Sequence, residues 1–276
     1  MKVLKKLVLA GAVGAAFASG AANAAFLSNW TFDTNGAAAG GTILVSEFLD
    51  MVGASYVENT FSDATNFTFE NAGAYVVPTA DGTNVMPSEA QITAIFSGTG
   101  SGQLGGSLAF NAGSFQMYSD TTANFGSTTG IFGADDGTLI ADFLLTEGTG
   151  QIGSAGLPNG EISLTFKATN LAAGYFFNED GIDLSTMVGS ELLFGFVTTN
   201  ASQVANPSPN VITEIMGELY TQEFGGVAAG TNTPPGDFIL SNNGQYRFSE
   251  VPEPGTIALA GLGLLGLGLS RRRKSA

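Results

Sequence analysis

Along most of the chain, apolar and polar residues alternate over short runs, and clusters of Gly, Asn, Asp and Ser separate the runs. A period of two predicts strands with one face on a core and one in water, joined by tight turns. The cleanest run is 161–167: Ile162, Leu164 and Phe166 point in, while Glu161, Ser163, Thr165 and Lys167 point out. The same reading makes strands of Trp30–Asp33, 41–45, 107–111, 114–118, 191–198, 217–224, 237–241 and 245–249. Segment 56–61 pairs with 67–70, and 75–77 continues extended to Pro78. The denser apolar run within 138–146 predicts a central strand covered on both faces. Asn35-Gly36, Asp81-Gly82, Asp136-Gly137 and Asn243-Gly244 are the turns, the last closing a hairpin. Segment 91–96 fits helix or strand, and 98–106 is a loop or a tight hairpin. One helix is predicted over 46–52, N-capped by Ser46 and ended by Gly53, with Val45, Phe48, Leu49 and Val52 at helical spacing. The sum is an all-β chain: an antiparallel β-sandwich, jelly-roll-like, with one or two short helices. No fixed repeat period supports a β-solenoid.

The two ends break this pattern. Lys2, Lys5 and Lys6 precede an apolar stretch, Leu7 to Phe17, and then Ala22-Asn23-Ala24. That is a signal peptide over 1–24, with Ala25 as the first residue of the mature chain. At the other end Val251, Pro252, Glu253 and Pro254 hold the chain extended, because two prolines remove backbone donors. The sixteen residues from Gly255 to Ser270 carry no charge. As a helix they would rise roughly 24 Å, slightly short of a hydrocarbon core of about 30 Å. Arg271, Arg272, Arg273 and Lys274 then stop transfer on the cytoplasmic side. Residues 25–250 are left as the exported domain, and 251–276 as a tail with a motif, a short transmembrane helix and a basic end.

Pro-Glu-Pro, a Gly/Leu-rich span and a terminal Arg cluster, in that order, resemble the PEP-CTERM sorting signal of Gram-negative bacteria. The resemblance covers about the last 25 residues. It implies recognition by exosortase, an inner-membrane cysteine transpeptidase or protease, then removal of the tail. The mature protein would move to the cell surface or into an exopolysaccharide matrix. In the N-terminal third, Trp30-Thr31-Phe32-Asp33, Ser46-Glu47-Phe48-Leu49-Asp50, Gly53 and Tyr56-Val57-Glu58-Asn59 look like the flocculation-associated subset of such proteins, which act in cell aggregation within an exopolysaccharide gel.

Charge sharpens the picture. Of 24 acids only Glu253 lies beyond Val251, and of nine bases only Lys167 and Arg247 lie between the two ends. The exported part therefore carries 23 acids against two bases, a net charge of −21. Nucleic acid and anionic membrane surfaces both need a basic footprint and are excluded as partners. There is no Cys and no His. Disulfides, Cys nucleophiles, Ser-His-Asp triads and His- or Cys-ligated zinc are all excluded.

Three acidic clusters remain: Asp81-Gly82-Thr83-Asn84, Asp135-Asp136-Gly137, and Asn178 with Glu179, Asp180, Gly181 and Asp183. Carboxylates and amides in Gly-containing loops suit a hard cation such as calcium; the competing reading is ordinary turn chemistry. Adjacent acids also suggest a glycosidase pair, but sequence neighbours usually point apart, so no catalytic residue is assigned. Trp30, Tyr56, Tyr75, Tyr118, Tyr175 and Tyr220 would either stack on sugars or pack in the core. The resulting expectation is a non-enzymatic, exosortase-processed surface or matrix protein supporting flocculation or biofilm formation with exopolysaccharide, held only transiently at the inner membrane. A secreted carbohydrate-binding module is the alternative, and a carbohydrate-active enzyme a more distant one.

Overall fold

The structure is a computed structural model that describes residues 25–36, 40–189, 192–198 and 201–250. Its body is Phe26–Ser249. Both predicted terminal helices lie outside the described residues.

The fold is all-β and antiparallel, as the alternation predicts. In chain order the strands are β1 (Ala25–Phe26), β2 (Trp30–Asp33), β3 (Thr42–Val45), β4 (Leu49–Phe61), β5 (Asn66–Ala80), β6 (Asn84–Val85) and β7 (Gln91–Gln103). They continue as β8 (Ser107–Asp120), β9 (Thr138–Ile152), β10 (Pro158–Leu171), β11 (Phe176–Phe177), β12 (Leu192–Thr198), β13 (Ser202–Gln203) and β14 (Asp237–Glu250). Eight of them form a meander in the order β4-β5-β7-β8-β9-β10-β12-β14, and β14 also pairs with β4. The large sheet thus closes on itself, which leaves its main strands without a free edge. Neighbours in the sheet are neighbours in sequence, so the connections are those of a meander rather than the crossovers of a jelly roll.

Opposite walls meet through side chains, as in a sandwich. Phe115 on β8 stacks on Tyr246 on β14, four strands away round the sheet, with ring centroids 4.5 Å apart. Phe96 on β7 meets Phe166 on β10 edge-on at 6.1 Å. Ile162, Leu164 and Phe166 all join the core, and Lys167 is exposed, as the alternation requires. A small sheet, β11-β2-β3, lays Trp30, Phe32 and Phe176 against this core. Phe32 stacks on Phe176 at 4.9 Å, and Trp30 meets Phe248 edge-on at 5.0 Å. Each buried ring contributes roughly 1.5–3 kcal/mol by leaving water.

Glycines make room for those rings. The inward positions of β7 from residue 98 onward are Gly98, Gly100 and Gly102, facing Phe67, Phe69, Phe96 and Phe110. A methyl on Gly100 would run into the Phe69 ring and the Ala109 carbonyl.

Several local expectations are corrected. Residues 46–52 are not a helix. Residues 49–61 pair with β5 on one side and, over 49–58, with β14 on the other, and two ladders outweigh a helix under two turns long. The freed donors ahead of the strand find a partner in the Asp81 carboxylate, which accepts from the N–H groups of Ser46, Glu47 and Phe48 at 2.7, 2.8 and 3.1 Å. Burial opposes ionisation of Asp81, but those donors outweigh it and hold the carboxyl below its ordinary value.

Asn243-Gly244 does not turn the chain. Both residues lie within β14, opposite Val52 and Met51, because the inward alternation from Phe238 to Phe248 runs straight through them. β9 is covered on one face only, with Leu139 37% and Leu144 56% exposed. Residues 217–224 are helical, not a strand. A π-helix over Val211–Leu219 leads into an α-helix over Tyr220–Phe224. Val211, Ile215 and Leu219 pack over Tyr56, Ala72, Ala74 and Ile239, on the outside of the closed sheet. Gly225, at φ 70°, ends the helix with its N–H on the Thr221 carbonyl.

Gly100→Ala should lower stability by about 1–3 kcal/mol through overpacking. Gly226→Ala, where a methyl meets nothing within 4 Å, should leave it nearly unchanged. Urea unfolding of both variants would check this; equal midpoints would contradict the packing described.

Candidate functional site

The ends of the body meet at its last strand. β1 pairs with β14, and the Leu27 N–H donates to the Phe248 carbonyl at 2.8 Å. Arg247 on β14 holds this corner. Its guanidinium lies 5.5 Å from the Phe26 ring centre and 5.3 Å from that of Phe48, and it pairs with Glu47 at 3.5 Å. One of the body's two cations therefore ties the beginning of the body to its last strand. Ala25, the predicted first residue of the mature chain, is the first residue of β1. Ala22, Ala24, Val251, Pro252, Glu253, Pro254, Arg271, Arg272, Arg273 and Lys274 lie outside the described residues. Among the described residues no helix is long and apolar enough to cross a membrane.

The acidic clusters are placed in turns, where several of their carboxylate and amide oxygens accept from backbone or amide N–H groups. Asp135 accepts from the Ile131 N–H at 2.6 Å, and Asp136 from the Asn124 side chain at 2.6 Å. Asn178 Oδ1 accepts from the Asp180 and Ile182 N–H groups at 3.1 and 2.8 Å. Asp183 caps the 3₁₀ turn Leu184–Met187 through the Ser185 N–H at 2.9 Å and accepts from the Gly174 N–H at 2.7 Å. Burial opposes ionisation of Asp183, but these donors outweigh it and hold its carboxyl below its ordinary value. Asp180 is exposed. Among the described residues no three acidic side chains converge as a metal site would need. The geometry is that of turn chemistry.

The aromatic residues divide in favour of packing. Trp30, Tyr56, Tyr75 and Tyr220 are buried, and Tyr118 and Tyr175 are half-buried. The four buried rings offer no open face of the kind that stacks on a sugar.

A polar groove lies on the outer face of β4, β5 and β7, and the sequence reading missed it. Glu58, Thr60, Thr68, Glu70, Thr99 and Asn111 line a space of about 240 Å³. Glu58 and Glu70 are direct cross-strand partners. Each is held by a phenol: Tyr56 donates to Glu58 at 2.8 Å and Tyr220 to Glu70 at 2.5 Å. Burial, then the Glu58 carboxylate, pushes the Tyr56 hydroxyl well above its usual range; burial and Glu70 do the same for Tyr220. The phenols therefore stay protonated donors. The Ala229 N–H adds a further bond to Glu58 at 2.9 Å. The groove thus offers fixed acceptors beside a bank of hydroxyls, a lining matched to hydroxyl-rich ligands. The outward alternation of Glu58 and Glu70 was visible in sequence; their facing each other required the register.

The family described as the PEP-CTERM protein-sorting motif matches residues 250–274. No curated protein and no solved structure matches the chain. The matched segment begins at Glu250, the last residue of β14.

Glu70→Gln keeps an acceptor for Tyr220 but removes the like charge opposite Glu58. It should raise stability at neutral pH by about 0.5 kcal/mol, an advantage that shrinks with added salt. Urea midpoints at low and high salt measure it; a loss of stability at low salt would contradict the like-charge pairing.

Proposed function

From the premise that this chain is a PEP-CTERM protein, targeted to exosortase and exported to the cell surface or beyond, we propose that it is a non-enzymatic matrix protein supporting flocculation or biofilm formation with exopolysaccharide. A signal peptide over 1–24 starts export, the Gly255–Ser270 span holds the chain briefly in the inner membrane, and exosortase removes the tail. The sorting motif at 250–274 is the observation that carries this reading. The strong negative charge of the body supports it further. An acidic protein and an acidic polysaccharide repel unless cations lie between them, so calcium bridges the two diffusely across their surfaces. The polar groove on β4, β5 and β7 is the face that contacts sugar hydroxyls. The absence of Cys and His from the sequence supports a structural rather than a catalytic role.

Deleting residues 251–276 should strand or misroute the protein and abolish calcium-dependent cell aggregation. Cell fractionation and a settling assay, each with and without calcium, read the two effects. Unchanged location and aggregation would overturn the matrix reading.

A further inference from the structure

The polar groove extends well past its acidic end. Beside the space lined by Glu58, Glu70 and Thr99 lies a second of about 410 Å³, lined by Ser62, Asn66, Thr68, Ser101, Gln103 and Ser107. Thr68 borders both, so the two adjoin on the outer face of β4, β5, β7 and β8. The register sets the floor in rows: Thr60, Thr68 and Ser101 face one another across three strands, and Asn66 faces Gln103. From Glu70 to Asn66 is four residues of one strand, roughly 13 Å. The result is a trough of hydroxyls and amides with two carboxylates at one end. Like charges directly opposite on neighbouring strands are unfavourable. The phenols of Tyr56 and Tyr220 give Glu58 and Glu70 hydrogen bonds but no positive charge. Among the described residues no Lys or Arg lines the trough, and Arg247 pairs with Glu47 instead. Tyr220 donates to Oε2 of Glu70, and Oε1 has no partner among the described residues.

We propose that this trough binds an extended glycan carrying a protonated amine, that is, a polymer of amino sugars with some amines left unacetylated. The ammonium group sits between Glu58 and Glu70 as their counter-ion. Hydroxyls of the neighbouring sugars bond the side chains of Thr68, Ser101, Asn66 and Gln103. This rests on the reading of the groove as the sugar-contacting face, and adds the charge of the sugar that suits its acidic end. A glycan that carries its own cation needs no calcium bridge at this site.

Trimers of glucosamine and of N-acetylglucosamine, alike in linkage, make the test, because they differ in the charged amine. Calorimetric titration of the exported protein recovered from culture, in calcium-free and slightly acid buffer, measures both. The glucosamine trimer should bind about tenfold more tightly, as one added charge-assisted hydrogen bond implies. Glu70→Gln should remove most of that preference. Asp180→Asn, which takes one charge from an exposed turn, should keep it. Thr68→Val should weaken both trimers. An equal loss of preference in Asp180→Asn would mean general attraction to an acidic body and would overturn the proposal. Equal binding of the two trimers, with Thr68→Val still weakening both, would overturn it while leaving the groove a sugar-contacting face. Binding of neither at millimolar concentration would overturn both readings.

Discussion

A sheet that closes on itself must fill its own interior, and the rest of this fold answers to that requirement. β14 pairs with β4 as well as β12, so the inward faces of eight strands confront one another. Large rings fill the space, and glycines opposite them on neighbouring strands give them room. At Gly98, Gly100 and Gly102 the glycine and the ring beside it are one physical fact seen from two sides. A ring of Phe size needs depth, and a wall without side chains supplies it. The closure also accounts for a chain that carries no disulfide: the long antiparallel ladders and the buried rings hold it together.

The acids play a second role in the same scaffold. Asp81, Asp183 and Asp237 all lie in or beside loops and accept several N–H donors each. For Asp237, burial is outweighed by the Thr231 side chain and the N–H groups of Thr231 and Asn232, and its carboxyl is held below the ordinary value. A carboxyl whose value falls on folding stabilises the fold above its unfolded value, and that contribution fades as pH drops through the folded one. These three carboxylates therefore hold their loops most strongly at neutral pH, where they are ionised. Some of the carboxylates that give the body its negative charge also fasten its turns.

Much of this was legible in the residues. The period-two alternation carried the all-β class, and 161–167 in particular placed Ile162, Leu164 and Phe166 on the core. What escaped was tertiary. Ser46 to Val52 has good helical spacing, but strands on both sides claim its later residues. Asn243-Gly244 is a strong turn pair, yet the continuous inward run of β14 overrides it. The Val211–Phe224 helical region hid behind β-branched residues, although Val211, Ile215 and Leu219 at intervals of four and the Gly225-Gly226 stop were both present. The cross-strand meeting of Glu58 and Glu70, and the trough beside them, depend on register and packing, which no local pattern encodes. The sorting tail needed no fold at all: its three parts read directly from order and charge.

The central claim is that a folded body is delivered between two removable ends, the second of which starts where β14 stops. Intact-mass and terminal-peptide spectrometry of the protein recovered from the cell exterior tests it most directly. The account predicts a chain that begins at Ala25 and ends before Gly255. A chain that retains Met1 or the Arg271–Lys274 cluster outside the cell would contradict it.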